Sequence, residues 1–302
     1  MRKPDALSCC MMALVGAMWG LHGPAIKFAF AAGFTLPQLV LGEYAVGSLV
    51  FGAAVALQGR GPPAPTRFWA ILALAGVVGC GVPLFLFWAY QLGPVSIGAT
   101  LLFLYVPFTQ LLNLALTRRR PAPRELVSAG LIVGGAALAA DFLQRADAAH
   151  LRGAPLAVLA AACFAAFFAL TARLGQAATP ALRSLVCCGV SGTLLVGVAA
   201  AAGWPLMPHV RPVARAVLWV VSLGVLGQVV PVFLLVRFSP RTGSGLGSIL
   251  ASTELPVAVA TSALVLGERI GAAQFAGVGL VLAGIALPNL PGRAAPPVPP
   301  AG

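Results

Sequence analysis

Short polar punctuation divides this chain into apolar runs of about 20 residues, and a run of that length with almost no charge is long enough to cross a bilayer core as a helix. Ten such runs can be read, at 9–31, 37–57, 67–90, 95–117, 124–142, 154–174, 180–203, 215–237, 243–266 and 271–288. Helices at the surface of a soluble protein keep a polar face, and these runs have almost none. Strands of an outer-membrane barrel alternate over about 10 residues, so the length of these runs argues against a barrel as well. Only 9% of the 302 residues are charged, against roughly 25% in a soluble domain. The expected fold class is therefore all-α and transmembrane, with ten helices.

The connections are short and carry the helix breakers. Gln58 to Thr66 (QGRGPPAPT) cannot continue a helix. Arg118 to Arg124 (RRRPAPR) is a basic turn, and the linker around 144–153 separates five runs from five. The Pro-rich end, 289–302, reads as a disordered tail. The first run follows Arg2 and Lys3 but has no small-x-small cleavage site after it, so it reads as the first span rather than a leader. Net charge is +12, yet the basic residues sit in short loops and form no patch interleaved with aromatics, which argues against nucleic acid as a partner. With the N-terminus placed in the cytoplasm, 13 of the 19 Lys and Arg fall on that side. The inside-positive bias then puts both termini in the cytoplasm, with membrane lipid as the surroundings of the spans.

A repeat relates the two halves. A shift of 149 positions lays Pro107 on Pro256, Gly130 on Gly279 and Gly135 on Gly284, and it sets Tyr105 opposite Glu254. One residue of slippage lays Pro83 on Pro231 and Gly79 on Gly227. Two units follow, 1–143 and 154–288, each with five spans. An odd number of spans makes the second unit enter from the opposite face, an inverted-topology repeat of the kind many secondary transporters use. Pairs of glycines four apart, Gly16 with Gly20 and Gly130 with Gly134, read as close helix-packing positions.

Among chemistry-bearing residues the absences come first. There is no GxxxxGK[ST] loop for a nucleotide and no HExxH for zinc, the six cysteines lack metal spacing, and no loop has room for a soluble catalytic domain. An enzyme, a metal and a cofactor are all unexpected. Of seven acids, five sit at span ends or in loops, while Glu43 and Glu254 lie inside spans. Placing a charge at mid-bilayer costs roughly 2.5–3.5 kcal/mol on insertion scales, which marks such a residue as functional by default. Glu254 stands two residues before Pro256, so it suits a proton-loading or substrate-contact role, or else satisfies backbone freed by the proline. Glu43 lines the same cavity or pairs with a basic residue such as Lys27. The prolines Pro83, Pro107, Pro231 and Pro256 are expected to kink their helices. Polar groups near them, Thr109, Gln110, Asn113, Gln228, Ser252 and Thr253, suggest a shared central cavity, with helix–helix hydrogen bonding as the alternative. Trp19 lies deep in span 1 and is a further candidate.

With Trp19-Gly20 in the first span, the run ELPVAVATSALVLGE from Glu254 to Glu268 and GVGLVLAGIAL after it, the chain resembles the drug/metabolite transporter superfamily, specifically the EamA-type permeases. The resemblance implies an inner-membrane carrier that exports small metabolites such as amino acids through a cavity between the two halves. Trp19, Glu254 and Pro256 match the family pattern, and so does Glu268, which sits at a turn and reads as structural. Helix 2 departs from the pattern, with Leu41-Gly42-Glu43-Tyr44 where many members carry a basic residue. An uncoupled facilitator, a membrane scaffold and a lipid-carrier flippase subunit remain as other readings.

Overall fold

A computed structural model describes residues 5–59, 61, 64–117, 121–140, 152–174, 178–206, 210–242 and 244–289. The Arg118–Arg120 turn, the linker up to residue 151, Gly243 and the Pro-rich tail beyond Asn289 lie outside the described residues. Among the described residues there is helix and no strand. Span 1 is Ala6–Ala31, span 2 Leu36–Gln58 and span 3 Thr66–Leu92. Span 5 is Pro123–Ala139, span 6 Ala154–Thr171 with a short 3-10 turn after it, and span 7 Pro180–Ala202. Span 10 is Ala272–Ala286. Among the described residues, nine stretches are long and apolar enough to cross a bilayer. Span 5 has 17 residues and a charged first turn, with Arg124 and Glu125, and makes the tenth. It begins at Pro123, where a missing N–H costs nothing, and Glu125 reaches back to accept from the Ala122 N–H at 2.8 Å.

Spans 4, 8 and 9 are interrupted. Span 4 is Val95–Leu102 followed by Tyr105–Thr117, and span 9 is Ser244–Ala251 followed by Glu254–Leu266. The two breaks fall on positions 149 residues apart. Each precedes a proline that has no N–H to give to the carbonyl four residues back. The freed carbonyls are taken up locally, Phe103 O by the Val106 N–H and Ser252 O by the Leu255 N–H, both at 3.1 Å. Span 8 runs from Val213 to Gly224, through a π-helical turn over Val225–Val229, and on as Val230–Thr242. The turn lies just ahead of Pro231, whose proline frees Gly227 O.

Pro83 differs from the other three. Span 3 passes through it as one uninterrupted helix, Thr66–Leu92. The carbonyl it frees, Gly79 O, is approached by the Tyr44 hydroxyl at 3.5 Å from span 2. A long hydrogen bond from a neighbouring helix thus reaches the carbonyl that Pro83 leaves without its backbone partner.

Packing between spans comes in pairs. Span 3 packs on span 6 as span 8 packs on span 1; span 3 on span 7 as span 8 on span 2; span 4 on span 6 as span 9 on span 1. Spans 2 and 7 pair directly, and so do spans 5 and 10. Exchanging the halves leaves this pattern unchanged. At the 5–10 seam a Cβ on Gly135 would fall 2.6 Å from the Gly277 carbonyl oxygen, and the Ser128 hydroxyl donates to Gly284 O at 2.6 Å. The expected packing role of Gly130 and Gly134 is corrected, because a Cβ on either would meet nothing. These two glycines stand off the face that carries Ser128 and Gly135. Gly16 and Gly20 do pack, against the backbone of the break in span 9.

Spans 4 and 9 also meet each other, but at one end only. Val95–Leu102 packs against Glu254–Leu266, at the end away from the termini, while among the described residues Tyr105–Thr117 and Ser244–Ala251 have no comparable contact. Asp5 and Asn289 mark the end where these two segments stand apart: Asp5 lies near Arg241, and Asn289 donates to Ser248 Oγ at 3.1 Å.

Candidate functional site

The break in span 9 makes Glu254 the first residue of the half-helix Glu254–Leu266. The backbone around it is fixed from span 1. A Cβ on Gly16 would collide with Ala251 O, Thr253 Oγ1 and Glu254 N, and one on Gly20 would fall 2.6 Å from Glu254 O. Only hydrogen at these two positions lets span 1 lie against the open turn. Thr253 Oγ1 donates to Ala13 O at 2.8 Å and lies 2.9 Å from Leu250 O, which ties the turn to span 1. Ser252 donates its hydroxyl to Ile249 O at 2.6 Å. These two residues are engaged with backbone.

Glu254 itself is half-buried and, among the described residues, its carboxyl has no hydrogen-bond partner. It lies within Coulombic range of His22, Tyr90 and Tyr105. Tyr105 holds the matching place at the start of the second half of span 4, and its ring packs on Phe164 at 4.8 Å and Phe168 at 5.4 Å between centroids. Those two phenylalanines, one turn apart on span 6, are 4.6 Å from each other.

Glu43 is 2% exposed and sits 2.7 Å from His22 Nε2. The expected pairing with Lys27 is corrected: Lys27 donates to Gly93 O at 2.6 Å, near the end of span 1. His22 lies nearer the middle of the span than Lys27 and can reach Glu43 on span 2. Its ring also meets Phe87 edge-on at 5.5 Å, and it rests on Gly227 at the π-helical turn of span 8. The same turn exposes Gly227 O to Trp19, whose indole N–H donates to it at 2.9 Å. Gln228, next in that turn, is half-buried.

The structure thus brings Glu43 to His22 and Trp19 to the π-helical turn on which His22 rests, with Glu254 within Coulombic range of His22, Tyr90 and Tyr105. Asn113 lies eight residues beyond Tyr105 on an exposed face, about 12 Å along the helix. Thr109 donates back to Tyr105 O at 2.7 Å. A cavity of about 250 Å³ lies apart from this cluster, between spans 3, 6 and 7, walled by apolar groups such as Val77, Leu84, Phe85 and Leu194. His22 and Tyr90 are absent from the sequence-based candidates. The signal for His22 was present, since an ionisable residue well inside span 1 meets the same criterion that singled out Glu43 and Glu254.

A second polar cluster clasps the end away from the termini. Gly267 ends span 9 at φ +70°, and the next N–H, of Glu268, bonds back to Ser262 O at 3.1 Å. The turn delivers the Glu268 carboxylate to the start of span 4. There it accepts from the Val95 N–H at 2.7 Å, the Ser96 N–H at 3.1 Å and the Ser96 hydroxyl at 2.6 Å. An anion over unpaired helix N–H groups is a favourable arrangement.

No curated protein matches the sequence. Among solved structures, 19 chains match. One, titled only as the crystal structure of a protein, aligns at a TM-score of 0.60 and 18% identity, covering 92% of this chain and 96% of its own. At that identity the likeness is one of fold. The sequence matches the EamA-like transporter family over residues 6–140 and again over 151–290. With most of its length in these two matched stretches and its helices of membrane-crossing length, the chain belongs to the EamA-like transporter family, within the drug/metabolite transporter superfamily, and is a multi-pass protein of the cell membrane.

Proposed function

We propose that the protein is a secondary transporter of a small polar or amphipathic metabolite, working by alternating access and exporting its substrate. Its moving parts are two five-span repeats of inverted topology, 1–143 and 154–288, joined by the linker 144–153, with both termini and the tail 289–302 in the cytoplasm. The observation that carries this reading is the one-ended contact of spans 4 and 9. A frame whose other packings come in exchangeable pairs is joined at one end and parted at the other. A rocking motion that exchanges the two ends would produce the opposite state from the same contacts. Glu254 and the groups around it stand between the two ends, where a bound solute or proton would be passed across.

Proton coupling rests on Glu254, an ionisable carboxyl without a hydrogen-bond partner at the break. The test has two stages. A thermal-shift screen of metabolites against the purified protein finds the substrate, because a ligand bound to the native state raises its stability. Transport of that substrate is then followed in proteoliposomes with and without a pH gradient. Wild type is expected to accumulate solute against its gradient, and Glu254→Gln to lose the pH dependence. Full pH-dependent transport by Glu254→Gln would remove the coupling role. Transport that ignores the pH gradient in wild type would favour a facilitator, and no transport by the purified protein would favour a scaffold or flippase subunit.

A further inference from the structure

Span 3 carries spans 6 and 7 side by side, and among the described residues these two have no comparable packing on each other. Glycines on span 3 set the spacing. A Cβ on Gly79 would fall 3.1 Å from the Phe167 ring of span 6, one on Gly81 2.7 Å from Cys163 Sγ of the same span, and one on Gly76 2.9 Å from Val190 of span 7. Each neighbour rests on the floor made by span 3, and a cleft stays open between them. The cavity of about 250 Å³ lies in this cleft, with Gly81 and Phe85 on the floor, Cys163 on one wall and Leu194 and Val198 on the other.

Exchanging the halves turns this cleft into the one between spans 1 and 2 over span 8. There the His22–Glu43 contact crosses from wall to wall at 2.7 Å, and Trp19 donates to Gly227 O on the floor. Among the described residues, the polar side chains lining the cleft over span 3 are two thiols, Cys80 and Cys163, and Cys80 is spent on Ser191 O at 3.6 Å. The Ser191 hydroxyl is in turn spent on Gly76 O at 2.7 Å. A polar solute finds little to bond with here.

The depth suits lipid. At 1.5 Å per residue, Val198 lies about 6 Å and Leu194 about 12 Å from the end of span 7, and Phe85 about 10 Å from the end of span 3, all at the end away from the termini. Half of the hydrocarbon core is about 15 Å thick, so the cavity lies at the depth of the acyl chains of that leaflet. Its rim faces outward, with Val77 44% and Val198 42% exposed. An apolar void of about 150 Å³ stays dry and takes up a small hydrocarbon, and wall atoms that face a void lose their dispersion partners. In a bilayer core the hydrocarbon at hand is an acyl chain.

We propose that this cavity is a binding site for one acyl chain of a membrane phospholipid, drawn from the leaflet at the end away from the termini, and that the chain acts as a wedge between spans 6 and 7. A chain on the flat outer face of the protein touches it on one side and exchanges with its neighbours. A chain in the cleft is held on three sides and is retained. The site is separate from Glu254 and its surroundings, and it stands whether or not the protein moves a solute.

The test uses the full chain in nanodiscs doped with a phospholipid that carries a photoactivatable diazirine near the middle of one acyl chain, with adducts mapped by mass spectrometry. Wild type is expected to carry adducts at Phe85, Leu194 and Val198 at about 3-fold or more the level at Val133 and Leu218, which are exposed near the same end of spans 5 and 8, because contact on three sides prolongs residence. Leu194→Phe combined with Val198→Phe fills the cleft from its exposed wall. Label at Phe85 should then fall to the level of Val133, with Leu218 unchanged. Stripping lipid with detergent should lower the Tm of wild type more than that of this variant, since the wedge binds the native state and the added rings stand in for it. Equal labelling of cleft and control positions in wild type, undiminished label at Phe85 in the double variant, or labelling by a diazirine fatty acid and not by the phospholipid would each overturn the proposal. Should the double variant fail to fold, the wild-type ratio and the comparison of phospholipid with fatty acid decide.

Discussion

Glu268 is the clearest place to shift the balance between the two ends. Its carboxylate holds the start of span 4 through three hydrogen bonds, from Val95 N–H, Ser96 N–H and Ser96 Oγ. Replacing it with Gln keeps one acceptor oxygen, removes the charge facing the helix start, and turns the other end of the group into a donor pointed at donors. Hydrogen bonds to a charged group contribute about 1.5–3 kcal/mol each when well shielded, and a helix-terminus charge about 0.3–1 kcal/mol. The clasp is only half-buried and near the interface, so part of this is returned by water. A net loss of about 2 kcal/mol is a fair working value, equivalent to roughly a 30-fold change in an equilibrium. If the parted form of this end is populated at about 1% in wild type, it should rise to roughly 20% in Glu268→Gln. Spin labels on Leu92→Cys and Arg269→Cys, in a background with the native cysteines replaced, report the width of this end by pulsed electron resonance. The expected result is a new, longer distance component in Glu268→Gln, larger in Glu268→Ala and reduced in Glu268→Asp. A single unchanged distance in both Gln and Ala variants would refute the clasp as a determinant of the closed end.

Three further outcomes test the frame. Gly277→Val should destabilise the protein by about 1–3 kcal/mol or more by overpacking the 5–10 seam, while Gly279→Val, with nothing near its Cβ, should be close to neutral; thermal unfolding in detergent separates them. His22→Leu or Glu43→Leu alone should each cost about 3–5 kcal/mol by stranding a buried partner, and the double variant should cost much less than their sum, read from a double-mutant cycle. Hydrogen bonding from Ser8, whose backbone N–H reaches Asp5 Oδ1 at 2.8 Å, holds the exposed Asp5 carboxyl below the usual carboxylate range. Its capping contribution is therefore present above the ordinary carboxylate pKa and lost as pH falls through the lowered one, so hydrogen exchange at the Ser8 amide should accelerate on acidification and become pH-independent, after correction for intrinsic rates, in Asp5→Ala.

The fold was legible because a bilayer leaves few choices. Apolar length gives the spans, and Pro107 and Pro256 give the two breaks, since each removes one N–H whose partner must then be found nearby. The fate of Pro83 was not legible in the same way. Its freed carbonyl, on Gly79, is approached by Tyr44, a residue 35 positions before that glycine, and only three-dimensional packing brings them together. Glu43 shows the same limit. The sequence offered Lys27 as a partner, but the register of span 1 against span 2 selects His22, and Lys27 turns to a carbonyl on the loop after span 3. Gly130 and Gly134 carried the right spacing on the wrong face, because spacing defines a stripe and not the neighbour it meets.

The matched breaks set different chemistry in a common frame. Tyr105 and Glu254 each begin the second half of an interrupted span, 149 residues apart, so the backbone offers the same place twice. Filling both with carboxylates would add a second charge at a cost of roughly 2.5–3.5 kcal/mol, and the two would repel within the Coulombic range that already joins Tyr105 to Glu254. A phenol at one place and a carboxyl at the other avoids that cost and gives the region two unlike surfaces, a charge and a ring face. In the alternating-access reading proposed above, symmetry is useful for moving the helices, because it makes the two end states alike in energy. In the same reading it is not useful for the site, where the ionisable group, Glu254, stands at one break only. The frame and the site therefore obey opposite requirements, and position 105 against position 254 is where the chain reconciles them.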